Sequence, residues 1–225
     1  MRCVRHTTLI FAMALLAGVL QVAPLQAAPP QAAPLSRARA LQALGRPDAA
    51  QRLAAVDRLA GIGIGPDADR VAVLLADADP QVREAAAAAM WLIWSRSGDA
   101  AIDARFVRGV GQMQAGALDD ALLTFNEIVR RKPAFAEGWN KRATILFMMG
   151  RNDESLRDCD EVFKRNQLHF GALSGAGQIH MRLGNWQQAL EFFQRALQVN
   201  PNLVGLEQVI LMLERRLRDK ARQAV

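Results

Sequence analysis

The side chains able to do chemistry are few and scattered. Of three histidines and two cysteines in 225 residues, His6 and Cys3 lie at the very start. A metal site elsewhere would have to draw on His169, His180, Cys159 and nearby carboxylates, and their spacing fits no zinc pattern. Gly61-Ile62-Gly63-Ile64-Gly65 has the glycine density of a nucleotide loop, but such a loop follows a strand, and this one follows a helical pattern. Its plain reading is an inter-helix turn before Pro66. No serine has a histidine and carboxylate arranged around it in the sequence, so nucleophilic catalysis has no support. The expectation is a protein that is not an enzyme, with no catalytic, metal or cofactor site. It binds through its surface.

Composition narrows what that surface can be. The chain is 51% hydrophobic and 22% charged, with 28 Lys+Arg against 22 Asp+Glu. This fits an ordered globular protein, and two cysteines are too few to staple a small scaffold. Met1 to His6 carries Arg2 and Arg5, Thr7 to Leu20 is uncharged and mostly apolar, and Gln21 to Ala27 ends on a small residue. Those are the three parts of a secretory signal peptide, with cleavage expected after Ala27. An apolar stretch of about 14 residues rises about 21 Å as a helix, short of the ~30 Å hydrocarbon layer, so no stable membrane anchor is expected. The expected location is periplasmic or secreted. Removing residues 1–27 lowers the formal charge from +6 to +6 − 2 = +4 and leaves Cys159 as the one cysteine, either buried or a free thiol. The clusters Arg130-Arg131-Lys132, Lys164-Arg165 and Arg215-Arg216 fall near helix C-terminal ends, where cations complement the helix dipole. A nucleic-acid partner is therefore not expected.

Most of the chain must be helical to position anything. Residues 28–46 read as a Pro/Ala-rich leader, with Pro29, Pro30 and Pro34. Beyond it, apolar residues recur at three and four, alanine is abundant, and glycine or proline punctuates the pattern, predicting an all-α protein. Gly116, Gly150 and Gly184 are 34 residues apart, the period of stacked helix pairs. In phase with them run Gly109, Ala143 and Gly177; Ala121, Ser155 and Ala189; Phe125, Cys159 and Phe193; and Pro133 and Pro201. Trp139 and the series Gly177, Gly184, Ala189, Phe193, Ala196, Pro201 make this region similar to the tetratricopeptide repeat (TPR) family. The resemblance covers residues 99–201 as three TPR units, about 102–135, 136–169 and 170–201.

A second resemblance lies upstream, over 47–98. Arg52-Leu53-Ala54-Ala55-Val56 recurs 31 residues later as Arg83-Glu84-Ala85-Ala86-Ala87. Asp77-Ala78-Asp79-Pro80-Gln81-Val82-Arg83 resembles a HEAT-type repeat, in which Asp-Pro caps a helix, Val faces the core and Arg reaches back to carboxylates near the turn. Residues 202–225 predict a capping helix, with Leu203, Leu206, Ile210, Leu213 and Leu217 on one face; self-association through 203–217 is the alternative use of that face. The fold expected is an α-solenoid: HEAT-like helices, three TPR units and a C-terminal cap. Trp91 and Trp94 are placed where the two repeat types join.

In the TPR family the first helix of each pair lines a concave surface. Carried over, that pattern nominates Phe106, Val110, Met113, Asn140, Thr144, Phe147, Gln178, Met181 and Arg182 as a partner-binding groove. A peptide or protein ligand is the partner the resemblance implies. Phe106, Val110, Gly171 and Gly175 stand where the carboxylate-clamping subclass needs Lys, Asn and cations, so that activity is not expected. The function expected is an exported protein-interaction module or assembly factor. The alternatives are a cationic accessory protein on an envelope polymer or anionic membrane surface and, behind it, an enzyme with an unrecognised site.

Overall fold

A computed structural model describes residues 34–223. The signal segment and the first part of the leader lie outside these residues. Eleven α-helices and one 3-10 turn make up the described chain, with no strand among the described residues. They are α1 (Arg37–Ala43), α2 (Ala49–Ile62), α3 (Asp67–Ala72), α4 (Pro80–Trp94), α5 (Ala100–Gln114), α6 (Leu118–Arg131), α7 (Ala136–Met148), α8 (Asn152–Arg165), α9 (Phe170–Arg182), α10 (Trp186–Val199) and α11 (Leu206–Gln223).

Within the leader expected over 28–46, Arg37–Ala43 forms a helix. Ser36 caps α1 by accepting the Arg39 amide, and Ala40 and Leu44 are buried. Arg37 clamps the buried Asp67 through two hydrogen bonds of 2.7 and 2.5 Å, which ties α1 to α3. Composition alone read this stretch as loose because the anchoring partner lies 30 residues away.

The HEAT-like segment is built on its aspartates. Asp48 and Asp79 cap α2 and α4 by accepting amides of the first turn, and Pro80 starts α4, where its missing N–H costs nothing. Val82 faces the core as expected. Arg83 differs from expectation: it donates to the carbonyls of Asp77 and Ala78, while the Asp77 carboxylate is taken by Arg52 at 2.7 Å twice. The Arg52 fork held Asp77 first because two parallel N–H···O bonds match a carboxylate's geometry.

Three antiparallel pairs follow: α5 with α6, α7 with α8, α9 with α10, and α11 lies against α10. Gly116, Gly150 and Gly184 all take φ near +75°, the left-handed conformation that ends each first helix. Phe125 and Phe193 fill the spaces against Gly109 and Gly177, and successive pairs bury apolar faces against one another.

The HEAT-like segment folds back along the edge of the TPR pairs formed by the loops that follow α8 and α10. Its apolar core takes in Phe170 of α9 and, partly buried, Val199 and Leu203. Asn202 donates to the Leu75 carbonyl (2.7 Å) and accepts from Arg83 (3.1 Å), joining the loop after α10 to the first core.

The close approach within the third unit yields a test. A Cβ at Gly177 would stand 2.6 Å from a Phe193 ring that is almost fully buried, whereas one at Gly175 would meet nothing within 4 Å. Gly177→Val is expected to lower stability by about 1–3 kcal/mol through overpacking. Gly175→Ala should hold or raise it by up to about 1 kcal/mol, since alanine favours the helix. Thermal unfolding of the two variants beside the parent checks both.

Candidate functional site

Two features meet on the inner face of the TPR pairs: a groove between α7 and α9, and a buried polar cluster at its foot. The cluster centres on Glu137, which is buried among the first residues of α7. Its Oε2 accepts from Asn140 Nδ2 at 3.0 Å and from His169 Nε2 at 2.7 Å, and Lys141 Nζ lies 3.0 Å from Oε1. His169 is the N-cap of α9, its Nδ1 accepting the Ala172 amide at 3.1 Å. That bond fixes the tautomer: Nδ1 has no proton, so Nε2 carries it and donates to Glu137. Burial opposes charge on Glu137, but the His169 and Lys141 contacts outweigh it and hold the carboxyl below the usual range.

The HEAT-like segment roofs this cluster. Trp94 stacks on the His169 ring with centroids 4.5 Å apart, and Trp91 meets His169 and Phe170 edge-on at 5.4 and 5.3 Å. The two tryptophans thus sit at the junction of the repeat types. Lys141 lies 5.4 Å from the Trp91 ring centroid, and the Trp91 edge passes so close over Gly171 that a Cβ there would be 2.2 Å from it.

Above the cluster the groove encloses a cavity of about 180 Å³. Asn140, Thr144, Phe147, Ser174, Gly175 and Gln178 line it, with Ser155, Cys159 and Ile179 below. Gln178 and Thr144 are exposed, and Thr144 also donates to the Asn140 carbonyl. Arg182 closes the far end, its guanidinium 3.6 Å from the Phe147 ring centroid and donating to the Phe147 carbonyl at 2.8 Å.

Of the nine groove residues nominated by the TPR resemblance, five gather here: Asn140, Thr144, Phe147, Gln178 and Arg182. Asn140 is almost buried, its amide turned to Glu137. The other four serve the cores instead. Phe106 is buried edge-on between Phe125 and Phe135, and Val110 and Met113 pack on the same first core. Met181 packs beneath α11. In each case the side chain fills the gap between helices because that apolar volume has no other occupant.

The remaining candidates for chemistry are structural. His180 stacks on Phe192 at 5.4 Å, and burial pushes its pKa down. Cys159 is buried, and desolvation beside Asp158 and Asp160 pushes its thiol up to about 12, far from a reactive thiolate. Gly63 is the C-cap of α2, donating to the Leu59 carbonyl, so the glycine run is a helix end, and Arg96 reaches the last carbonyls of α2 as a counter-charge to its dipole.

Sequence reasoning missed the Glu137–His169 pair and the roof over Gly171. The one local hint for the former was His169 at a helix start; nothing local signals the latter.

The stacked helix pairs and concave groove define an α-solenoid built of helical hairpins. A tetratricopeptide repeat model matches residues 170–203, and a model described as a HEAT repeat associated with sister chromatid cohesion matches residues 196–221, which cover the end of α10 and most of α11. A TPR repeat-containing protein of Rhizobium etli is 33% identical over 138 residues, spanning 61% of this chain and 68% of its own. The chain belongs to the tetratricopeptide repeat family. Among solved structures, the Sgt2 TPR domain from Aspergillus fumigatus aligns with a TM-score of 0.52 at 15% identity, covering 56% of this chain and 85% of its own. The first TPR domain of Spaghetti (RPAP3), solved with an HSP90 peptide, aligns at 0.50 and 18% identity, covering 52% and 93%.

The buried carboxylate sets a pH dependence. Because the folded pKa of Glu137 is depressed, its stabilisation is fully present above the unfolded value near 4.3 and is lost as pH falls through the lower folded value. Glu137→Gln should therefore cost about 1–3 kcal/mol at pH 7, through loss of charge-assisted hydrogen bonds. The gap from the parent should narrow as pH is taken below about 4. Urea unfolding of both proteins at neutral and acid pH measures this.

Proposed function

We propose that the protein is an exported protein-interaction module that holds a peptide segment of its partner in the groove between α7 and α9. One observation carries the reading: an open cavity on the concave face, apolar at Phe147 and Ile179 and lined with amide and hydroxyl groups at Gln178, Thr144 and Ser174. Such a lining suits a peptide backbone, which needs donors and acceptors, together with one modest apolar side chain. The TPR domain solved with an HSP90 peptide shares this fold and supports peptide holding as its use.

The charge of the groove favours a neutral ligand segment. Its nearest cation, Lys141, is spent on Glu137 and the Trp91 ring, and Arg182 is spent on Phe147. Gly171 and Gly175 add no charge. A terminal carboxylate would be desolvated here without a free counter-charge. The signal-like segment at residues 1–27 supports action outside the cytoplasm, and the tetratricopeptide repeats support binding as the mode of action.

The cationic-surface reading has less support. Charge over residues 34–223 is spread among all segments, and most arginines facing the clefts are paired: Arg142 with Asp158, Arg151 with Glu154, Arg165 with Glu161.

Gly175→Trp places an indole in the groove from a position where a new Cβ meets nothing within 4 Å. Affinity capture from envelope extract should retain a protein on the parent chain and lose it, by at least about tenfold, on Gly175→Trp and on Phe147→Ala with Gln178→Ala. Equal retention by parent and variants would sink the groove reading. Retention that collapses between low and moderate salt in all of them would instead favour the charged surface.

A further inference from the structure

The far end of the stack carries a surface that the groove does not use. α11 turns Leu213 fully inward, with Leu206, Val209, Ile210 and Leu217 packed against the α10 core. Leu211, about 160° around the helix from Leu213, is still 62% exposed, and Met212, on the flank between the two, is 48% exposed. Helix capping alone needs only one apolar face, so this second apolar patch is unexplained by the cap.

We propose that α11 pairs antiparallel with α11 of a second copy of this chain, on a two-fold axis through Leu211. The charges around the patch are self-complementary in that arrangement. Glu207 and Arg215 lie four residues before and after Leu211, on the same outward stripe, and both are exposed. An antiparallel two-fold brings residue 211 − n of one copy opposite residue 211 + n of the other. Glu207 of each copy therefore faces Arg215 of the second copy, twice, with Leu211 of both copies covered between them and Met212 at the edge of the contact. A parallel pairing would set Glu207 against Glu207 and Arg215 against Arg215. Of the other arginines of α11, Arg216 stacks 4.2 Å from the Trp186 centroid and Arg218 pairs with Glu214 at 3.8 Å, while Arg222 lies about three turns from Leu211. Arg215 is left facing outward. Elsewhere the large exposed apolar residues, such as Val73, Val107 and Leu123, lie on separate helices or turns without such flanking charges.

The pairing leaves the groove open, so the two readings can fail separately. Sedimentation equilibrium of the purified protein over about a hundredfold range of concentration should show a monomer–dimer equilibrium. Leu211→Lys and Met212→Lys, each at an exposed site, should weaken dimerisation by at least about tenfold without moving the unfolding midpoint. Glu207→Arg and Arg215→Glu should each weaken it as well, because each creates like charges facing across the axis. Combining Glu207→Arg with Arg215→Glu should restore dimerisation close to the parent. A protein that stays monomeric throughout, an association indifferent to Leu211→Lys and Met212→Lys, or a charge-swapped double variant no better than the single ones would each overturn the proposal.

Discussion

Glu137 is a carboxylate without access to water, and the two halves of the protein are held together around it. An unpaired charge in that position would cost several kcal/mol. It is tolerable only because two donors, Asn140 of its own helix and His169 at the start of the next pair, and the Lys141 ammonium converge on it. His169 is in turn held by the Ala172 amide and by the Trp94 ring. The cluster therefore requires α7, α9 and α4 to be in place at once. Apolar packing drives the helix pairs together, since it is non-directional and scales with area. The carboxylate cluster fixes how the HEAT-like segment sits on them, because hydrogen bonds and ring stacking are directional.

This division of labour explains what could be read in the sequence. Gly116, Gly150 and Gly184 were visible because a left-handed turn every 34 residues is a local demand with a local signature. Asp79 and Pro80 announced a helix start for the same reason. The order of helix pairs followed from these. The groove was partly legible: Thr144, Phe147 and Gln178 line it, but Phe106 and Met181 are drawn into the cores, since one helix face serves both groove and neighbour and the family pattern alone does not divide it. Glu137 with His169, and Trp91 over Gly171, join residues of different repeats and had no periodic signal.

The fold-back also accounts for the chemistry of the groove. The carboxylate-clamping TPR pattern has cations at the positions of Gly171 and Gly175. Trp91 accounts for the first glycine: any side chain at 171 would collide with the indole edge. With the indole there, Lys141 is drawn over its face and onto Glu137, so the one cation at the groove's foot is neutralised.

What closes the foot of the groove thus also sets the chemistry of its lining. A groove that is open at both ends can let a chain pass through, and one with a free cation at its foot can anchor a carboxylate. Here the foot is occupied by Trp91 from another segment of the same chain, and the far end is narrowed by Arg182 lying on Phe147. The space left is short and uncharged, with a few amide and hydroxyl groups at its rim. Affinity from so small a contact comes from one apolar anchor and a few backbone hydrogen bonds, so any partner held there must gain the rest of its binding energy elsewhere on the solenoid or through more than one copy of it.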